Sequence, residues 1–374
     1  MKILTIIGAR PQIIKAAAVS RAVANVYSDR IEEKILHTGQ HYDNNMSQVF
    51  FDELGIPQPH YNLGVGSGSH GSQTAKMISG IEEILLHEPF DGVILYGDTN
   101  STLAGAVAAS KIHVPVFHIE AGLRSFNMTM PEEINRIVCD QLSSICFAPT
   151  QTAVDNLRRE GFLESPATFL HGKKRRVCNC GDVMYDNSIY FSTLARQRST
   201  VMQQLGLQPG NYILATIHRD NNTDNPLRLQ SILRALADIA QQDNTRIILP
   251  LHPRTRKILE GAPELSLKDN PMVTIIPPAG FLDMNMLEQN AKVIMTDSGG
   301  VQKEAFFFEK PCVILRPETE WVEIVDHGAG IIADADYDRI VRAYRQLVDH
   351  PVRFPHLFGD AHAAEKILQT ILDY

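Results

Sequence analysis

Acidic side chains at the ends of apolar runs are the first feature of this chain that could do chemistry. The run GVILYG leads into Asp98, the run VFHI leads into Glu120, and Glu132 follows shortly in PEEINR. Carboxylates gathered at one end of one sheet can have their pKa values pushed apart, so that one serves as base and another as acid. Each also has a structural reading. Asp98 precedes a helix pattern and could cap it, and any of the three could sit in a salt bridge. In the second half, ATI leads into His218, LPL into His252, and IMT into Asp297, Ser298, Gly299 and Gly300. Ser-Gly-Gly opening a helix after a strand bares backbone N–H groups to an anion, and the helix dipole adds to them. A diphosphate fits such a turn, and Glu304, one helical turn on, has two oxygens for a pair of ribose hydroxyls. The alternative is a tight turn with a capped helix. His218 and His252 are ligand contacts or satisfied core histidines, the latter being commoner for a lone histidine. Near the start, Gly8, Ala9, Arg10, Pro11 and Gln12 follow the first apolar run, with Lys15 one turn further. Gly8 lets the backbone approach a ligand closely, Pro11 suits a first helical turn, and Arg10 and Lys15 stand where an anion is favoured. Phosphate binding and a βα turn with solvated charges are both open.

These groups need strands and helices to position them. Short β-branched, apolar runs at 2–7, 33–37, 92–96, 114–119 and 145–148 are separated by helix-length patterns such as 12–26, 71–87 and 101–112. Strands alternating with helices predict βαβ units and parallel sheets. Runs without polar alternation fit strands covered on both faces. The second half repeats the scheme, with strands at 212–217, 246–251, 273–276, 292–296 and 311–315 and helices at 225–241 and 301–308. Ligands of open parallel sheets bind beyond the carboxyl ends of the strands, where the polar residues above fall. The run Lys173, Lys174, Arg175 and Arg176 reads as a solvated loop near a domain junction. The tail 361–374 is an amphipathic helix with Ala364, Ile367, Leu368, Ile371 and Leu372 on one face.

Composition narrows the classes. The chain has 374 residues, 44% hydrophobic and 21% charged, as in a globular protein of two to three domains. The net charge is −8, which argues against a nucleic-acid or anionic-membrane partner. Five cysteines, with Cys178 and Cys180 as a lone CxC, fit reduced thiols better than a zinc set. No run approaches the ~18 apolar residues of a membrane span, and the N-terminus lacks a signal peptide's longer apolar region. A cytoplasmic protein is expected. No Walker A loop, GxSxG elbow or HExxH helix occurs, and the histidines show no metal-ligand spacing.

The motifs GARPQ, TGQHYD, GDTNST, HIEAGLRS, PEEINR and TDSGGVQKEA, in this order over nearly the whole chain, resemble the non-hydrolysing UDP-N-acetylglucosamine 2-epimerases. The resemblance implies an α/β protein of two doubly wound Rossmann-like domains with a central cleft, the glycosyltransferase-B architecture. It implies a first domain of residues 1–175 plus the helix 361–374 and a UDP-binding domain of residues 176–360. It also implies a homodimer, and inversion of C2 of a UDP-linked 2-acetamido sugar by elimination of UDP and re-addition through a 2-acetamidoglycal, without cofactor or metal. Matched motif to motif, the catalytic residues are Asp98, Glu120, Glu132 and His218. The substrate and UDP contacts are Arg10, Lys15, Arg136, His252, Ser298, Gly299, Gly300, Glu304 and Arg316, with Phe281 near the uracil.

Departures from the family pattern shape the expected substrate. Ala9 and Gln12 replace the Thr and Glu of GTRPE. Gln40, His41, Tyr42 and Asp43 stand where QHREM contributes to an allosteric site, which puts substrate activation in doubt. Thr319, Glu320, Trp321, Val322 and Glu323 replace TERPE. These resemble the branch that converts UDP-2,3-diacetamido-2,3-dideoxy-glucuronic acid to its mannuronic epimer for O-antigen or capsule. That substrate's carboxylate calls for a cation, with Arg124, Arg136 and Arg316 as candidates. UDP-N-acetylglucosamine is the alternative substrate. A glycosyltransferase, a hydrolysing epimerase and a nucleotide-sugar sensor are the alternative classes.

Overall fold

The computed structural model describes residues 1–39, 56–162, 168–251, 253–261, 267 and 270–374. Gln40, His41, Tyr42, Asp43 and His252 lie outside the described residues. The chain divides into two compact units, Met1–Asn187 with His356–Tyr374, and Ser188–Pro355.

The first unit is built on β1 (Lys2–Ile7), β2 (Glu32–His37), β3 (Tyr61–Asn62), β4 (Gly92–Tyr96), β5 (Val116–Ile119), β6 (Ile145–Ala148) and β7 (Arg176–Asn179). They form one parallel sheet in the order β3-β2-β1-β4-β5-β6-β7. Helices α1 (Arg10–Ala22), α2 (His70–His87), α3 (Asn100–Lys111) and α4 (Pro131–Leu142) provide crossovers. Every residue of β4 is buried, as expected for a strand covered on both faces. The strand order reverses between β1 and β4, and that switch point opens the crevice where α/β sheets take ligands. β7 pairs with β6 from Ile145 opposite Arg176 to Ala148 opposite Asn179. The sheet therefore continues past residue 175, because the backbone after the basic run finds a strand edge to complete.

The second unit carries β8 (Tyr212–Thr216), β9 (Arg246–Pro250), β10 (Val273–Ile276), β11 (Val293–Thr296), β12 (Cys312–Ile314) and β13 (Gly330–Ile332), parallel in the order β10-β9-β8-β11-β12-β13. Its helices include α5 (Pro226–Gln242), α6 (Phe281–Asn290), α7 (Gly299–Phe307) and α8 (Tyr337–Asp349). Here the switch point lies between β8 and β11, whose last residues Thr216 and Thr296 are in register and joined by a 2.6 Å hydroxyl contact. Ile213, Ala215, Leu249, Met295 and Val313 from four neighbouring strands are buried under α5 and α8. The chain then returns to the first unit as α9 (Ala363–Leu372). Asp186 accepts hydrogen bonds from the N–H groups of Ala363 (3.0 Å) and Ala364 (2.7 Å), two of the donors that a helix start leaves over. Ala364, Ile367, Leu368 and Ile371 are buried on the expected face.

Gly8 is set by packing. A Cβ there would fall far inside van der Waals contact of the Ser101 and Thr38 hydroxyls, which are buried and 2.8 Å from each other. Its N–H is also spent, donating to the Gln12 side chain at 2.8 Å. The expectation that Gly8 bares its backbone to a ligand is therefore replaced by a structural role: it lets the turn after β1 lie on α3. Gly8→Ala should lower stability by about 1–3 kcal/mol through overpacking, read as a shifted midpoint in urea unfolding; an unchanged midpoint would remove this account.

Candidate active site

In the first unit the ends of β1, β4 and β5 bring two carboxylates to two cations. Glu120 follows β5 in a left-handed conformation, φ 72°, which a non-glycine residue adopts at a cost when its surroundings require it. Its carboxylate is ion-paired with Lys15 of α1, both side chains being about nine-tenths buried at 10% and 13% exposure. Gly97 (φ 60°) lies against this pair: a Cβ on it would sit 3.0 Å from Glu120 Oε2 and 3.3 Å from Lys15 Nζ. The next residue, Asp98, is ion-paired with Arg136 of α4. The cap of α3 is Thr99, whose hydroxyl accepts from Thr102 N–H at 3.4 Å. Asp98 is therefore not the helix cap, because the extended residue next to it takes that place and releases the carboxylate to Arg136.

Arg136 is held from below. Its Nη1 donates to Glu133 at 2.7 Å, and Glu133 also accepts from the N–H and hydroxyl of Ser125 and from Phe126 N–H, all at 2.9 Å. Burial alone would raise the Glu133 pKa, but the bonds from Ser125 and Phe126 and the Arg136 charge more than offset it and hold the pKa below the usual range. Asn135 donates to the backbone carbonyl of Asp98 at 2.9 Å. Glu132, the third expected carboxylate, is exposed in the first turn of α4. Its neighbour Glu133 is the buried member, because the helix turns position 133 inward with Arg136, three residues on. Arg124 is withdrawn from any ligand: it donates to Asp140 at 2.7 Å and forks onto Glu160 with two 2.7 Å bonds, leaving its side chain 1% exposed. Arg10 is exposed at the start of α1. Gln12 closes that start by accepting from Gly8 and Ala9 N–H and donating to Tyr96 O and Thr102 Oγ1.

In the second unit the site grows around Asp297, which is fully buried at the end of β11. Asp297 accepts from the N–H of His218 (3.2 Å) and Arg219 (3.1 Å) and from Asn222 Nδ2 (3.1 Å). His218 Nδ1 lies 3.4 Å from the same carboxylate. The ring of this histidine is half-exposed. Ser298 caps α7 through its hydroxyl. A Cβ on Gly299 would be 3.5–3.7 Å from Glu320, Trp321 and Arg316, and one on Gly300 would be 3.8 Å from the Ser298 hydroxyl. Both are ordinary contacts at ordinary φ, so nothing in the fold calls for glycine at either position. Arg316 reaches this turn with both Nη groups engaged by Glu320 at 2.9 and 2.8 Å. Glu304 is partly buried one turn along α7. Burial raises its pKa and, together with the Glu304 charge, raises that of Glu288 further. Phe281 opens α6 with its ring edge-on to Phe191 at 5.0 Å.

Asp98, Glu120, Lys15 and Arg136 are thus brought together in one unit, and His218, Ser298, Gly299, Gly300 and Arg316 in the other. His118, Glu133, Asn135 and Asp297 stand inside the sequence motifs, but only the fold reveals them as supports. Asp140 has no signal in the sequence, lying outside the motifs in the last part of α4. Among the described residues no group of three His, Cys, Asp or Glu is placed to hold a metal ion. None of their helices is long and apolar enough to cross a membrane.

Two doubly wound α/β units with ligand-ready strand ends define a nucleotide-sugar type of fold. A model of the UDP-N-acetylglucosamine 2-epimerase family matches residues 25–372. The chain is 50% identical over 372 residues to UDP-2,3-diacetamido-2,3-dideoxy-D-glucuronate 2-epimerase of Pseudomonas aeruginosa, covering 99% of each chain. It is 40% identical over 374 residues to UDP-N-acetylglucosamine 2-epimerase of Methanocaldococcus jannaschii, covering 99% of each. The solved structure of M. jannaschii UDP-GlcNAc 2-epimerase with UDP-GlcNAc and UDP superposes with a TM-score of 0.83 at 39% identity over 100% of both chains. That of the Neisseria meningitidis enzyme bound to UDP-GlcNAc superposes with a TM-score of 0.84 at 28% identity, again over 100% of both. The chain belongs to the UDP-N-acetylglucosamine 2-epimerase family.

The glycines at 299 and 300 yield a prediction. Gly299→Ala and Gly300→Ala should leave thermal stability equal or slightly raised, since alanine favours a helix start over glycine by about 0.5–1 kcal/mol. Each should weaken UDP binding by about tenfold or more in calorimetry. Unchanged UDP affinity would show that no anion approaches this turn.

Proposed function

We propose that the chain is a UDP-2,3-diacetamido-2,3-dideoxy-D-glucuronate 2-epimerase, forming the mannuronate epimer. The 50% identity over 99% of both chains with the P. aeruginosa enzyme carries this reading. The departures from GTRPE, QHREM and TERPE support the same branch. A cytoplasmic homodimer serving O-antigen or capsule synthesis belongs to the same reading.

The C2 proton of such a sugar is weakly acidic, so C1–O cleavage must share the work. A carboxylate takes the C2 proton from one face. The C–H electron pair forms the C1=C2 double bond, and the C1–O pair leaves with UDP. A second acid returns a proton to C2 from the other face, and UDP re-adds at C1. Asp98 and Glu120 are the proposed pair. Lys15 and Arg136 hold them in place, one entering the reaction as carboxylate and the other as carboxylic acid, and general acid–base catalysis of this kind is worth about 10²–10⁴ in rate. The leaving diphosphate is met by N–H groups of the 298–300 turn, with His218 and Arg316 adding donors. Glu304 takes the ribose. Glu132, exposed one helical turn from Arg136, is the proposed third acid, reaching substrate only when substrate is bound.

Incubation in D₂O with each UDP-sugar tests this. The expected outcome is deuterium at C2 with the UDP linkage intact, and higher kcat/KM for the diacetamido uronate than for UDP-N-acetylglucosamine. Release of free UDP as the sole outcome would point to a hydrolase, and preference for UDP-N-acetylglucosamine would reassign the substrate. Asp98→Asn and Glu120→Gln should each abolish turnover while UDP affinity stays within about tenfold, about 1.4 kcal/mol. A far larger loss of UDP affinity would make these groups ligand holders instead.

A further inference from the structure

His118, at the third position of β5, is fully buried and contacts no exposed surface. Its Nδ1 lies 2.6 Å from Asp140 Oδ1, and its Nε2 lies 2.7 Å from the carbonyl oxygen of Gly97. A carboxylate and a carbonyl are both acceptors. Two short bonds to two acceptors require a proton on each ring nitrogen, which makes the ring a buried cation. Burial alone would lower its pKa, but Cys139 and Asp140 beside it more than compensate and the pKa is raised well above the ordinary value. Asp140 is itself fully buried, accepts from Gly122 N–H at 3.1 Å, and is countered by Arg124, which continues to Glu160 at the surface. Four charges thus alternate in sign from the surface to the carbonyl of Gly97.

That carbonyl belongs to the turn that carries Asp98. Three backbone polar groups near the carboxylate are fastened: Gly97 N–H to Ile119 O at 3.0 Å, Gly97 O to His118, and Asp98 O to Asn135. Gly97 also abuts Glu120 and Lys15. A buried ion network is an expensive way to stabilise a fold, because apolar residues of the same size often do as well. Its retention at this spot calls for another reason.

We infer that His118 is a positioning residue, donating from both ring nitrogens to fasten Gly97 and so setting where Asp98 stands relative to Glu120. The inference rests on the reading of the chain as a C2 epimerase. His118 touches no substrate; it acts through the turn.

The test uses the full-length protein, the UDP-sugar it turns over, and His118→Gln, with Asp140→Asn as a second variant. Two rates are compared in D₂O: deuterium entering C2 of recovered substrate, and deuterium entering the epimer. Their ratio reports how the two faces of C2 are served and does not depend on how many molecules are active. Both variants are expected to bind UDP within about threefold of the parent, to lose about 100-fold in kcat, and to change this ratio more than about threefold. A fall in kcat with an unchanged ratio would mean a purely structural histidine and would overturn the inference. If neither variant folds, ¹⁵N NMR of the parent decides: both ring nitrogens of His118 protonated at pH 8 supports it, and a neutral single tautomer overturns it. A parent protein that turns over neither sugar would sink the proposed function, and the NMR result would still judge how His118 holds Gly97.

Discussion

Two carboxylates at the end of one parallel sheet must be held in place, and each has a cation of its own. The pairing of Glu120 with Lys15 and of Asp98 with Arg136 is the constraint on which the rest of the first unit depends. Each cation comes from a helix on a different side of the switch point, α1 after β1 and α4 after β5. The sheet order, with β1 beside β4 and β4 beside β5, makes the pairing possible. The local cost is visible in Glu120, held at positive φ, and in Gly97, where no side chain would fit without pressing on the pair.

The second unit solves a different problem with the same architecture. A leaving diphosphate needs positive potential without a permanent surplus of charge. A helix start provides partial charge, and the cations around it are already countered, Arg316 by Glu320 and the His218 turn by Asp297. The two units also use glycine in opposite ways. Gly8 is required by its protein neighbours. Gly299 and Gly300 are not required by theirs, as the proposed approach of a ligand to the backbone would have it.

The fold class was legible because strands buried on both faces lack polar alternation, so 92–96 and 212–217 stood out as apolar runs ended by polar residues. The two-residue β3 and the three-residue β13 carry too little pattern to be read. β7 was hidden by its basic start, Arg176, whose exposed side chain looks like a loop residue. Among site residues, Asp98, Glu120, Ser298, Gly299 and Gly300 could be found from strand ends. Asp98 as a helix cap, Gly8 as a bare backbone and Arg124 as a ligand cation were equally good sequence arguments. They failed because neighbours took those jobs: Thr99 caps α3, Gln12 accepts the Gly8 N–H, and Asp140 with Glu160 occupies Arg124. Supports such as Asp140 are invisible in sequence because their partners lie 16 to 22 residues away.

The central claim is the proposal that a hexose carbon meets the Asp98 and Glu120 carboxylates. A crystal structure with the UDP-sugar bound to an Asp98→Asn variant tests it most directly. The account predicts C2 within roughly 3.5 Å of residue 98 or Glu120. A sugar ring lying away from both side chains would contradict it.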